Sequence, residues 1–279
     1  MKKTLLTVLI TTILTALIVL TVFEVIAQQR QIEADALVEI DSEILNEKRN
    51  ILIHLPYAYD PDEVYPVLYV LDGSSQDFRM AGIAEVLNMA GTVPEMIIVG
   101  IPNTNRNRDL TPHYILQETD GEIYGEGDHF LSFITDEVAP YIEGRYPTNG
   151  YKMLAGHSRG GLFSFYAYLE RPNSFDAYFS FSPAFWRDES LAVKKAEKEL
   201  SYSSTGNFIF LSLGTEENDK MKAGYDAMIR LMNTGTIESY HHMYTPNANH
   251  GNNLFYSTPK ALQLWAESYA KSQSQDHEK

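Results

Sequence analysis

Tyr151-Lys152-Met153-Leu154-Ala155-Gly156-His157-Ser158-Arg159-Gly160-Gly161-Leu162-Phe163-Ser164-Phe165-Tyr166 is the stretch that decides the fold. It reads as a short strand, a turn crowded with glycine, and a helix. Lys152–Ala155 is the strand, and Gly160–Leu169 is the helix, stopped before Pro172. Between them stands Gly-x-Ser-x-Gly. A serine in that motif sits on a sharp strand-to-helix turn that presents its hydroxyl, and the glycines let strand and helix close around it. Alone the pattern is common, and a glycine-rich turn with an inert serine is the plain alternative. A phosphate loop would end in Gly-Lys-Ser or Gly-Lys-Thr, which this turn does not. The strand before and the helix after make Ser158 the candidate nucleophile.

Working outward, strands alternate with helices, as in a mostly parallel sheet covered on both faces. Leu37–Leu45 and Arg49–Leu55 read as early strands joined by a polar turn. Val67–Leu71 and Met96–Ile101 are short apolar runs of the fully buried type. Ala177–Phe181, Phe208–Leu213 and Ser239–Tyr244 complete a set of about eight strands. Helices are expected over Phe78–Ala90, His129–Ile142 with Asp128 as N-cap, Asp188–Leu200, Asp219–Met232 and Pro259–Lys271. This order predicts an α/β chain with the α/β-hydrolase fold over residues 37–272, followed by a polar tail over 273–279.

The 279 residues suffice for one large core. A net charge of −15 repels phosphate backbones and argues against nucleic acid as a partner. With no cysteine, disulfides, a thiol nucleophile, a Cys-ligated zinc site and lipidation on Cys are excluded. Met1-Lys2-Lys3 followed by an apolar run from Leu5 to Phe23 reads, over residues 1–27, as a cleaved signal peptide or an uncleaved membrane anchor. Either one places the rest outside the cytoplasm: periplasmic or secreted in the first case, held at the inner membrane in the second. Residues 28–36 are a polar linker.

A serine nucleophile needs a base, and in this fold the histidine comes last, on the loop after the final strand. His250, in Asn249-His250-Gly251, is placed there; His113, in a polar loop, is a substrate-side candidate. The orienting acid should follow Phe208–Leu213, where Glu216, Glu217 and Asp219 crowd together. Glu217 is the first candidate and Glu216 the alternative, with Asp219 read as the N-cap of the next helix. The oxyanion of a tetrahedral intermediate needs two backbone N–H donors. They are expected from Arg159, after the nucleophile, and from Ser74, with Gly73 letting the loop turn inward. Asp72 reads as a turn residue bonding nearby amides. Trp186, Arg106, Arg108 and His157 lie where a substrate would bind, the arginines suiting a carboxylate or catecholate. The expected chemistry is hydrolysis of a small carboxylic ester through an acyl-enzyme. An acyltransferase with the same residues, or a non-catalytic binder, are the alternatives. The sequence leaves oligomeric state open.

Several segments together resemble the esterase family that includes esterase D, enterochelin esterases and mycolyltransferases. They are Tyr65–Gly73, Val99-Gly100-Ile101-Pro102 with Arg106, Arg108 and Asp109, Glu137–Ile142, the elbow Gly156–Gly161, Ser182-Pro183-Ala184-Phe185-Trp186, and Asn249-His250-Gly251. The resemblance covers roughly 38–270. It implies a lidless α/β-hydrolase with a Ser-His-acid triad and no metal or other cofactor. It also implies that the residue after Asp-Gly, here Ser74, supplies an oxyanion amide. The family's acid stands three residues after a glycine ending the penultimate strand, which counts to Glu217. A glutamate there, with a second beside it, departs from the family pattern.

Overall fold

The computed structural model describes residues 15, 35–115, 124–199, 206–234 and 240–276. The chain divides into two compact units, Met1–Ala36 and Leu37–Lys279. Of the first, only Thr15, Asp35 and Ala36 are described, so the expected signal peptide or anchor lies otherwise outside the described residues. Among the described residues no helix is long and apolar enough to cross a membrane.

The strands are β1 (Asp35–Ser42), β2 (Glu47–His54), β3 (Tyr65–Leu71), β4 (Ile97–Ile101), β5 (Thr148–His157), β6 (Ala177–Phe181), β7 (Phe208–Gly214) and β8 (His241–Thr245). They form one sheet in the order β1-β2-β4-β3-β5-β6-β7-β8. β2 meets β4 antiparallel, and the pairs from β4 through β8 are parallel. β3, β4, β6 and β7 are buried at every residue. Their largely apolar sequences, interrupted by Ser180 in β6 and Ser212 in β7, follow from cover on both faces.

The helices are α1 (Asp77–Met89), α2 (Arg106–Asp109), α3 (Gly127–Ser132), α4 (Ala139–Glu143), α5 (Arg159–Glu170), α6 (Arg187–Glu199), α7 (Asp219–Thr234) and α8 (Asn253–Asp276). On one face, Met80 and Ala84 of α1 and Leu254, Leu262 and Trp265 of α8 pack on Leu68, Val70, Met153, Phe179 and Phe210. Successive strand residues face opposite ways. Tyr178, next to Phe179, accordingly meets Tyr168 of α5 on the other face, with ring centroids 5.4 Å apart.

Several boundaries differ from the sequence reading. β1 begins at Asp35, inside the expected linker. The helix expected over His129–Ile142 is interrupted by a π-turn, Phe133–Val138, between α3 and α4. Pro140 has no N–H to give, and the hydrogen-bond ladder widens just before it. Asp128 lies inside α3 and does not cap it: the N-cap is Glu126, which makes no side-chain cap bond. α8 starts six residues before Pro259 and runs to Asp276, through most of the expected tail. Asn218, not Asp219, caps α7, its Oδ1 accepting from the Met221 N–H at 3.1 Å.

The carboxyl ends of β3, β5, β6, β7 and β8 share one edge of the sheet, and the loops leaving them carry Ser74, Ser158, Ser182, Glu217 and His250. In open α/β sheets that edge is where ligands bind.

Candidate active site

At the end of β5 the chain turns directly into α5, and Ser158 takes φ 60° and ψ −115°. That conformation is strained for an L-residue and is held by its surroundings. The Ser158 N–H donates to Phe181 O at 2.9 Å, and its carbonyl accepts from Ala184 N and Leu162 N, each at 3.0 Å. Gly156 must be glycine, because a Cβ there would lie 2.2 Å from the Gly160 carbonyl oxygen.

His250 stands over the serine, its Nε2 2.9 Å from Ser158 Oγ. Its Nδ1 lies 3.0 Å from Oε2 of Glu217. The Glu217 side chain is fully buried, whereas that of His250 is 42% exposed and open to a reactant. Burial alone would raise the Glu217 carboxyl. Hydrogen bonds from His250, Ser182 and the Gly214 amide outweigh it and hold the group ionised, below its ordinary value. The structure thus brings Ser158, His250 and Glu217 into one hydrogen-bonded series. Glu216 is exposed and its N–H donates to Ala248 O at 2.8 Å.

His157 occupies a different place from that expected. Its Nε2 meets the His250 carbonyl at 2.8 Å, and the two rings pack at 4.7 Å between centroids. Burial, aided by the neighbouring His250, pushes the His157 imidazole down to about 4. A neutral ring donates from Nε2 to that carbonyl, so His157 ties the elbow to the His250 loop.

The loop after β3 carries two left-handed residues, Asp72 at φ 56° and Ser74 at φ 74°. Gly73 does not supply the turn, as expected from sequence. It is glycine because a Cβ would come 2.4 Å from Ile101 N. The Asp72 carboxylate does not bond backbone amides: it accepts from Arg106 Nε at 2.6 Å, Arg106 Nη2 at 2.9 Å and the Asn103 side-chain amide at 2.8 Å. Arg106 Nη2 also reaches His157 O at 3.3 Å. Arg106 is therefore a clamp between the Ser74 loop and the elbow, with 41% of its side chain exposed. Arg108, expected as a substrate cation, pairs with Glu47 at 2.6 Å and with Asp109 at 2.8 Å. Trp186 is exposed, with the Arg187 guanidinium 5.4 Å from its ring centroid. Burial, and after it the charge of Arg106, pushes Arg187 down, so the two cations feel one another. Arg187 was not legible as a site residue; its only signal is adjacency to Trp186. Among the described residues no cluster of His, Cys, Asp and Glu could hold a metal ion.

The family model described as "Putative esterase" matches residues 42–275. The chain belongs to this esterase family. Over 148 residues it is 37% identical to a siderophore enterobactin esterase of Emericella nidulans, covering 46% of this chain and 48% of that protein. The chain thus spans about half the length of that relative. It is 28% identical over 223 residues to the ferri-bacillibactin esterase BesA of Bacillus subtilis, covering 68% of this chain and 76% of the other. The crystal structure of the BES protein from Bacillus cereus superposes with a TM-score of 0.75 at 25% identity, covering 83% of this chain and 94% of that one. The eight-stranded sheet, with β2 antiparallel to β4 and the pairs from β4 through β8 parallel, is the α/β-hydrolase fold that this esterase family shares.

Proposed function

We propose that the protein is a serine esterase that hydrolyses small carboxylic esters through an acyl-enzyme. The observation that carries this is the series Glu217–His250–Ser158, with contacts of 3.0 and 2.9 Å. His250 takes the Ser158 proton as the hydroxyl oxygen attacks the ester carbonyl, and Glu217 stabilises the imidazolium that results. His250 then gives that proton to the departing alkoxide, leaving an ester on Ser158. Water, activated by the same imidazole, hydrolyses this ester and frees the acid. The N–H groups of Arg159, at the head of α5, and Ser74, on its left-handed turn, are the donors for the oxyanion.

The siderophore enterobactin and ferri-bacillibactin are the substrates named for two relatives. For this chain we assign the same class, ester-linked anionic aromatic ligands. The exposed fraction of Arg106, Arg187 and the Trp186 face suit such a ligand by charge and by stacking. The basic start and apolar run Leu5–Phe23 support export, with the catalytic unit outside the cytoplasm; cell fractionation of the full chain tests this.

Fluorophosphonate labelling and p-nitrophenyl ester turnover test the chemistry, comparing wild type with Ser158→Ala. Labelling and turnover should both vanish in the variant. A folded wild type that neither labels nor turns over sinks the reading, and product esters formed with added alcohols would make the protein a transferase.

A further inference from the structure

Behind Glu217 lies a buried polar series that the proposed chemistry leaves unused. Ser182, fully buried after β6, donates its hydroxyl proton to Oε1 of Glu217, the carboxylate oxygen that His250 does not touch. The same hydroxyl accepts from Asn253 Nδ2 at 2.9 Å. Asn253 is also fully buried, opens α8, and stands three residues after His250. Its Nδ2 gives a second bond to Ser212 Oγ, on β7, at 3.0 Å. Ser257, one turn on, lies 2.9 Å from Ser212 Oγ and donates to the Asn253 carbonyl at 2.7 Å.

A hydroxyl has one hydrogen, and that fixes every direction in the series. Ser257 spends its proton on the Asn253 carbonyl, so Ser212 donates to Ser257 and both Asn253 hydrogens point outward, to Ser182 and Ser212. Ser182, already accepting, is left to donate to Glu217. The series joins the ends of β6 and β7 to the segment that carries His250, and its only ionisable member is Glu217.

We propose that Ser182 and Asn253 are positioning residues for the acid, setting the carboxylate so that Oε2 faces His250 Nδ1. The proposal rests on the reading of Ser158, His250 and Glu217 as the catalytic series. A second observation separates it from mere packing. Ser182 takes φ 45°, a left-handed conformation that glycine adopts at less cost. Backbone demands alone would favour glycine there, and the hydroxyl accounts for a side chain at a strained position.

The two small substitutions separate backbone from hydroxyl. Ser182→Gly removes the hydroxyl and relieves the backbone, while Ser182→Ala removes the hydroxyl and keeps the strain. Both, with Asn253→Ala, are to be assayed on a p-nitrophenyl ester beside wild type and Ser158→Ala, with thermal midpoints as the folding control. A hydrogen bond to a charged group is worth roughly tenfold to a hundredfold, so kcat should fall by about that factor in both Ser182 variants. KM should stay within about twofold, since the lost contact serves the transition state and not ground-state binding. Ser182→Gly should match or exceed Ser182→Ala in thermal midpoint and still show the loss. A Ser182→Gly enzyme with wild-type kcat, in an assay where wild type is active and Ser158→Ala is dead, overturns this inference alone. An inactive, unlabelled wild type overturns both it and the function on which it rests.

Discussion

An ordinary histidine takes up a proton near pH 6.5, but His157, packed against His250 and bonded to its carbonyl, resists until about 4. Between those values the unfolded chain binds the proton and the folded chain does not, so stability falls as pH drops from 6.5 toward 4 and levels off below. The loss should be about 1–3 kcal/mol, discounted because the ring is partly exposed. His157→Gln lacks this titration and should show a flatter slope when denaturant midpoints at the two ends of that window are compared. Equal slopes would refute the assignment of His157 as a neutral donor. Glu217→Gln keeps the shape of the site but removes the charge opposite His250, and kcat should fall by about a hundredfold to ten-thousandfold. Glu216→Gln, at an exposed residue outside the Glu217–His250–Ser158 series, should retain wild-type rates. Ester hydrolysis by the pair of variants decides between the two acids.

At the scale of elements, the loops that carry the candidate site residues are held to one another as well as to the sheet. Arg106, on α2, binds Asp72 with two hydrogen bonds and reaches the His157 carbonyl, so three loops meet in one guanidinium. Arg106→Ala should free the Ser74 loop and lower kcat by about tenfold, with strong coupling to Asp72→Ala in a double-mutant cycle. Independent effects would remove the clamp. The elbow was legible in the sequence, because an apolar strand, Gly156–Gly160 and a helix follow one another within sixteen residues. Its partners were legible only by chain order. His250 and Glu217 were found by counting strands, whereas the Arg106–Asp72 clamp and the Ser182–Asn253 series depend on which loops the sheet order brings together. Local pattern misled at helix ends: Pro259 reads as a first-turn residue, yet α8 begins at Asn253 and carries the proline inside it. Burial of Leu254, Ala261 and Trp265 outweighs the one backbone bond the proline removes.

Across the whole molecule the core and the site are separable. Trp265 is fully buried between α8 and the sheet, stacked on Tyr269 at 5.2 Å, and far along the helix from His250. Trp265→Ala should cost about 3–5 kcal/mol of folding stability, measured by denaturant unfolding. Turnover per labelled active site should stay unchanged. A drop in that ratio would mean that α8 transmits core repacking to the loop at its head.

The left-handed backbone of Ser158 has a consequence for anyone evolving this protein in the laboratory. A residue forced to φ 60° and ψ −115° stores about 1–3 kcal/mol that glycine at the same place would release. A library screened for heat resistance alone will therefore drift toward substitutions that remove the serine on which the proposed chemistry rests. Selection rounds need an activity gate from the first generation, or the most robust survivors will be the inert ones.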